Sequence, residues 1–425
     1  MNKPVFVISC PFDTYSGYGA RSRDIVKSLI ELDKYDVKLL PQRWGSTSWG
    51  FCKDHSEWGY LLEYSIPKLD SKPDIWMQIT IPNEFQMVGN YNIGCTAGIE
   101  TDACKPEWIE GLNRMNMNLV SSNFAKETFE KMVFDKKSKQ NPNQIIGKVK
   151  LEKPVHVIFE GVNLDIYKPL KNSELSTFDF SDIKESFCYL FVGHWMAGEF
   201  GHDRKNVSLL VKAFYETFKN KKKKPALILK ASTGIAGYMS RDEILSRILK
   251  IRKSVDSKNL PNIYVLNGEF TDSEMNELYN NPKVKAMVSL TKGEGFGRPL
   301  LEFTTTGKPV IASNWSGHTD FLHKDHSILI PGSLEPVHQS VANNWLIKES
   351  NWFKPDTRFV GQILRDTFEK PKESQTKSKR QKYHTQKNFS LEKMKELIDV
   401  VFTSNIPDFP KKIKLNLPEL NIPKL

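Results

Sequence analysis

Apolar and polar positions along this chain fall into short blocks that switch between two periods. Residues 5–9, 36–40, 75–79, 94–99, 187–193, 226–230, 263–266, 284–290 and 308–312 are compact apolar runs bounded by Gly, Pro, Asn or Asp, and read as buried strands. Between them lie stretches with apolar residues three and four apart. One begins near Ala20 and carries Ile25, Leu29 and Ile30. Another carries Val207, Leu210, Val211, Phe214 and Phe218, and further helices are predicted over 124–133, 240–254, 271–280 and 390–402. Ser122 is an N-cap candidate, and Thr271 with Glu274 forms a capping box. Strands alternating with helices predict an α/β chain with parallel, doubly wound sheets. Residues 42–60, rich in Trp, Gly and Ser, break the pattern and read as a long functional loop.

One βαβ block carries unusual chemistry. After the apolar run 284–290 come Lys292, Gly293, Glu294, Gly295, Phe296, Gly297, Arg298 and Pro299, then Leu300, Leu301, Glu302 and Phe303. Pro299 suits the first turn of a helix and Gly307 its C-terminal end. Glycines 293, 295 and 297 let backbone N–H groups approach a ligand, and the helix N-terminus behind them favours an anion. Glu294 in the loop and Glu302 on the helix are each able to accept two hydroxyls of a vicinal diol. A tight turn followed by a solvated helical Glu is the alternative. Elsewhere, Gly17 and Gly19 follow the first strand, without the GxGxxG spacing of a dinucleotide site. Glu84, Glu100 and Asp102 follow later strands, at the sheet edge where α/β ligands bind. Lys230 ends a strand, and Arg204 with Lys205 precedes a helix, where cations are unfavourable unless an anion is present.

Glu294 and Glu302 with seven residues between, then Gly307 to Ser313, then Gly317 to Phe321, resemble the donor-site signature of retaining nucleotide-sugar glycosyltransferases of family 4. The resemblance implies the GT-B fold, two Rossmann-like domains facing a central cleft. It implies that Glu294 holds hydroxyls of the donor sugar and Glu302 the ribose, while Arg204 and Lys205 meet the diphosphate. Glu294, Arg204 and Lys205 are the implied catalytic set. Gly293, Gly295, Phe296, Gly297, Lys230, His194, Gly17 and Gly19 are the further donor-side candidates, with Glu84, Glu100 and Asp102 on the acceptor side. His194 stands where the family often has Arg, and Asn163 where a Gly-Val-Asp turn has Asp. The expected domains are 1–165 and 186–388, with helix 390–403 crossing back to the first and 404–425 an extended tail. The implied donor is a nucleotide-sugar such as a UDP- or GDP-sugar, with no metal and no other cofactor. No Asp-x-Asp metal motif occurs.

Composition adds bounds. The chain has 425 residues, 39% hydrophobic, which suits two or three globular domains. Its five cysteines form no CxxC pair, as expected of reduced thiols in a cytoplasmic protein. No apolar run is long enough to span a bilayer, and the start reads as a strand rather than a signal peptide. A net charge of +11 favours anionic partners and permits peripheral membrane contact. Much of that charge lies in 219–224 and 370–388, which read as solvated loops. The expected acceptor is a carbohydrate or glycolipid. A modified base of DNA is the alternative acceptor, and a nucleotide-sugar binding protein without turnover the alternative function.

Overall fold

The computed structural model describes residues 3–410 apart from 139, 142 and 344. It contains two six-stranded sheets. The first is built from β1 (Val5–Cys10), β2 (Asp36–Pro41), β3 (Ile75–Ile79), β4 (Tyr91–Cys95) and β5 (Met117–Val120), with a hairpin of β6 (Val133–Lys137) and β7 (Ile145–Lys150) before β8 (Val155–Val157). Its order is β2-β1-β3-β4-β5-β8, all parallel. The second is built from β9 (Cys188–His194), β10 (Ala226–Ser232), β11 (Ile263–Leu266), β12 (Val284–Ser289), β13 (Val310–Ser313) and β14 (Ile328–Ile330). Its order β11-β10-β9-β12-β13-β14, again all parallel, is that of a Rossmann sheet, with the switch point between β9 and β12. A hairpin of β15 (Gly332–Pro336) and β16 (Asn351–Pro355) follows.

The helices are α1 (Gly17–Leu32), α2 (Phe51–Asp54), α3 (Pro106–Arg114), α4 (Asn123–Glu130), α5 (Val207–Phe218), α6 (Tyr238–Lys253), α7 (Asp272–Asn280), α8 (Arg298–Thr304), α9 (Thr357–Glu369), α10 (Pro371–Asn388) and α11 (Leu391–Asn405). The capping box of Thr271 and Glu274 opens α7, and the Ser122 hydroxyl accepts from the Ala125 N–H at 3.2 Å to cap α4. The chain between the sheets is packed: Tyr167, Phe180 and Ile183 join the second sheet's core. α11 returns to the first sheet, where Met394, Ile398 and Phe402 share a core with Phe6, Ile8 and Ile25. The crossing is tight. The Val162 N–H bonds to Phe389 O at 2.9 Å, the Leu391 N–H to Val162 O at 2.8 Å, and a Cβ on Gly161 would lie 2.5 Å from Leu391 Cα.

Several local expectations are corrected. α1 starts at Gly17 rather than near Ala20, because the Ser16 hydroxyl caps the Gly19 N–H at 2.9 Å. The fourth strand ends at Cys95, so residues 96–99 belong to the loop that follows it. α4 stops at Glu130, and Val133 opens the hairpin instead. Residues 42–60 are not one open loop. They include α2 and the start of a 3₁₀ segment over Ser56–Tyr64, which bury Cys52, Trp58 and Leu61, and Asp13 Oδ1 accepts from the Cys52 N–H at 2.7 Å. Residues 370–388 are not a solvated loop but α10. Its inward face is polar, so no apolar stripe marks it: Gln381 Nε2 donates to Phe321 O, and Ser378 Oγ to Gly307 O, both at 2.7 Å. Residues 404 and 405 complete α11, and 411–425 of the expected tail lie outside the described residues.

Phe402 is buried against Phe6. Truncating Phe402→Ala should cost about 3–5 kcal/mol, the range for a buried aromatic. Urea unfolding followed by fluorescence checks this; an unchanged midpoint would mean that α11 does not complete the first core.

Candidate active site

The carboxyl edges of the two sheets face each other, and the loop between β12 and α8 lies in the gap. Its glycines serve close approach. A Cβ on Gly293 would lie 1.9 Å from Glu100 O, one on Gly295 2.3 Å from Ala97 O, and one on Gly317 2.1 Å from Gly295 O. Backbone oxygens cannot yield as a flexible side chain could, so any larger residue at 293 or 295 would separate the sheets. Gly297, with φ at 99°, precedes α8 in a conformation L-residues avoid. The Ser121 and Ser122 hydroxyls donate to Gly295 O at 3.1 and 2.7 Å. The Asn123 N–H donates to Asp320 Oδ2 at 2.7 Å, a further tie between the halves.

Four charges meet beside this loop. Arg204 Nη1 lies 2.7 Å from Glu100 Oε1 and 3.7 Å from Glu294 Oε2, and Lys205 Nζ donates to Glu294 Oε1. The Glu294 N–H is held by Ser316 Oγ at 2.9 Å. Burial pushes the Glu294 carboxyl up, but Lys205 and Arg204 outweigh it and hold the pKa at about 2. That carboxylate stabilises the folded chain above its ordinary value of 4.5, and the contribution is lost as pH falls towards 2. Lys205 is nonetheless pulled below the usual lysine range, by burial first and the neighbouring Arg204 charge next, against the pull of Glu294. Two cations are thus balanced by two carboxylates.

Glu302 sits a turn inside α8, buried. Arg298 Nε donates to its Oε1 at 2.9 Å and Tyr279 Oη to its Oε2 at 3.1 Å. Burial raises its pKa to about 7 despite Arg298. Between its ordinary 4.5 and about 7 the folded chain holds the extra proton, so this group destabilises the fold increasingly as pH rises through that window. Arg298 Nη1 also donates to Asp24 on α1, which ties the helix bearing Glu302 to the first sheet.

The remaining candidates divide. His194 at the end of β9 bonds Ser232 Oγ through Nδ1 at 2.8 Å. Partial burial first, then Lys205, Arg204 and Lys230, lower its pKa to about 4, so it is neutral at physiological pH and does not replace an arginine's charge. Lys230 has its ammonium 4.9 Å from the Phe270 ring centroid, with no carboxylate in ion-pair range among the described residues. Phe296 does not line the cleft: it is buried against Phe321 in the second core. Gly19 lies in the first turn of α1, where a Cβ would sit 2.3 Å from Thr14 O, so packing alone requires glycine there. Gly17, in the same turn, has open space around it. Glu100 is held by Arg204. Asp102 is a staple to β16, accepting from the Asn351 N–H at 2.6 Å and from Nδ2 at 3.0 Å. Glu84 accepts from the Thr80 hydroxyl in an exposed turn after β3. Asp24, Arg298, Tyr279 and Ser316 were not singled out from the sequence. Arg298 stood inside the glycine-rich stretch, but nothing local points to a partner 274 residues away.

Residues 192–343, which span this site's second half, match the family described as Glycosyl transferases group 1. No curated protein matches the chain at a significant level. Among solved structures, the chain is similar to a glycosyltransferase from Rickettsia africae, with TM-score 0.65 and 14% identity over 96% of this chain and 100% of that one. It is similar to sucrose-phosphate synthase from Thermosynechococcus elongatus, with TM-score 0.61 and 12% identity over 95% and 99%. It is also similar to Anabaena HepE in complex with UDP and glucose, with TM-score 0.59 and 13% identity over 94% and 100%. At these identities the likeness is one of fold: two parallel-sheet Rossmann-like domains in the GT-B arrangement.

Gly295→Ala should drive the sheets apart. Small-angle scattering should show a larger radius of gyration, and the melting temperature should fall. Gly17→Ala, with free space and a helical conformation, should be neutral or stabilise by about 0.5–1 kcal/mol. If Gly295→Ala leaves both measurements unchanged, the loop does not set the distance between the sheets.

Proposed function

We propose that the chain is a retaining glycosyltransferase of the family 4 type, moving a sugar from a nucleotide-sugar such as a UDP- or GDP-sugar to a hydroxyl of a glycan or glycolipid. The observation that carries this reading is the cluster of Arg204, Lys205 and Glu294 at the loop that leads into α8, with Glu302 on that helix, in the cleft of a GT-B fold. The match of residues 192–343 to group 1 glycosyltransferases supports it.

In this reading the diphosphate takes Arg204 and Lys205. Charge-assisted bonds to phosphate are among the stronger contacts available. The carboxylate of Glu294, released from Lys205, accepts hydroxyls of the donor sugar and orients the anomeric carbon. Glu302 accepts the ribose diol. The bond from the anomeric carbon to the phosphate oxygen breaks, with its electron pair leaving on the diphosphate. The acceptor oxygen bonds the same carbon on the same face, and its proton passes to the departing phosphate oxygen. Arg204 and Lys205 meet the charge that develops, a role that preorganised cations fill without reorganisation. A carbohydrate acceptor suits the site better than DNA. The cations of α10 lie where that helix packs on the end of α8 distant from the glycine loop, Thr385 meeting Thr304 and Ser378 meeting Gly307.

The direct test is incubation with UDP-glucose and GDP-mannose, watched by proton NMR. Slow release of free sugar, first seen as the donor's own anomer, supports transfer with retention. Release of the opposite anomer would exclude retention, and no release from any donor that binds would favour a binding protein without turnover.

The two glutamates should separate in calorimetry with UDP. Glu302→Gln should weaken UDP by roughly 1.5–3 kcal/mol, while Glu294→Gln should leave it nearly unchanged and cut turnover. Because the ribose needs the ionised form of Glu302, UDP affinity should rise with pH through about 7, with proton release, and Glu302→Gln should flatten that slope. Equal weakening by both variants would show the assignment to be wrong.

A further inference from the structure

Glu160 stands just past β8, at the same carboxyl edge as the loops that touch the glycine stretch. β8 pairs with β5 in the register Val120↔Val157, and the residues after β5 are Ser121 and Ser122, whose hydroxyls hold Gly295 O. Glu160 is only 8% exposed, yet its carboxylate makes no hydrogen bond and no ion pair among the described residues. Arg21, 1% exposed, reaches the end of the same strand, spending Nη2 on Ile158 O at 2.8 Å and leaving Nε and Nη1 without a hydrogen-bonding partner. Buried polar groups are almost always satisfied, so two unpartnered guanidinium nitrogens near a carboxylate that pairs with no protein group mark a polar spot that the free chain leaves incomplete. The charges that act on Glu160 are Arg21 and Asp24 of α1, Arg298 of α8 and Glu294 of the glycine loop, and burial raises its pKa.

We propose that Glu160 is a binding residue for the acceptor, its carboxylate taking hydroxyl hydrogens of a polyhydroxy ring. The proposal rests on the glycosyltransferase reading above and deepens it. Burial raises the Glu160 pKa, and in its ionised form the carboxylate only accepts hydrogen bonds, so its complement is a donor-rich ligand, and a sugar ring offers adjacent hydroxyls. The residues assigned to the nucleotide-sugar all belong to the second sheet and its helices. Glu160 belongs to the first, so a ligand touching both it and the anomeric carbon spans the cleft from the acceptor side. Its burial is a benefit once occupied, since a desolvated carboxylate bonded to hydroxyls discriminates strongly against a ring lacking them.

The test uses glucose as the probe, on the chain saturated with UDP, with saturation-transfer NMR for the sugar and calorimetry for UDP. The wild-type chain should show a glucose signal. Glu160→Gln should weaken glucose about tenfold or more, the loss expected for a bond to a charged group, and leave UDP affinity and melting temperature unchanged. Glu160→Asp keeps the charge one methylene short and should fall between, which secures the comparison if Glu160→Gln folds poorly. Unchanged glucose binding in both variants, a parallel loss of UDP, or no glucose signal on a wild-type chain that binds UDP would overturn the proposal. A wild-type chain that binds neither UDP nor any other nucleoside diphosphate would instead refute the glycosyltransferase reading itself.

Discussion

The near-contact between the glycine loop and the backbone after β4 governs this molecule. Because Gly293 and Gly295 carry no Cβ, Glu100 O and Ala97 O can come within a distance that no other residue would allow. That approach brings Arg204 within reach of carboxylates from both sheets, Glu100 on one and Glu294 on the other. It also places Arg298 against Asp24. The charges in the cleft are therefore consequences of a steric fact about two glycines and the two backbone oxygens they meet. Packing two sheets through glycines rather than through a large apolar interface leaves the cleft polar, as the proposed sites for a diphosphate and two sugars require.

Electrostatics then divides the site by depth. Glu294 is held far below the usual carboxylate range and Glu302 is raised to about 7, although both are buried and both face cations. The difference is in the balance: Glu294 faces two cations close by, while Glu302 shares one arginine with Asp24. A permanently charged carboxylate suits the group that orients a reacting sugar, and a group that ionises near neutrality suits one whose partner is a neutral diol. His194 is neutral in the free chain, and burial lowers the pKa of Lys230.

Much of the architecture was legible because strands buried on both faces leave continuous apolar runs, and helices against a sheet leave an apolar stripe. α10 was not, because its inner face is Ser374, Ser378, Gln381 and Thr385, which dock by hydrogen bonds and leave no periodic signal. Residues 42–60 looked open because Trp, Gly and Ser are frequent in loops, yet Trp58 and Cys52 fill the first core. The Glu294 and Glu302 spacing was legible from the local strand–loop–helix pattern. What it could not show is that Phe296 turns inward, that Asp102 is a staple, or that Arg21 is buried with two nitrogens unpartnered, since each depends on contacts made by distant parts of the chain.

A crystal structure of the chain with UDP tests the central claim most directly. The account predicts the diphosphate between Arg204 and Lys205, the Lys205–Glu294 pair parted, and the ribose diol on Glu302. A nucleotide bound elsewhere, or one bound above an intact Lys205–Glu294 pair with Glu302 still closed by Arg298 and Tyr279, would contradict it.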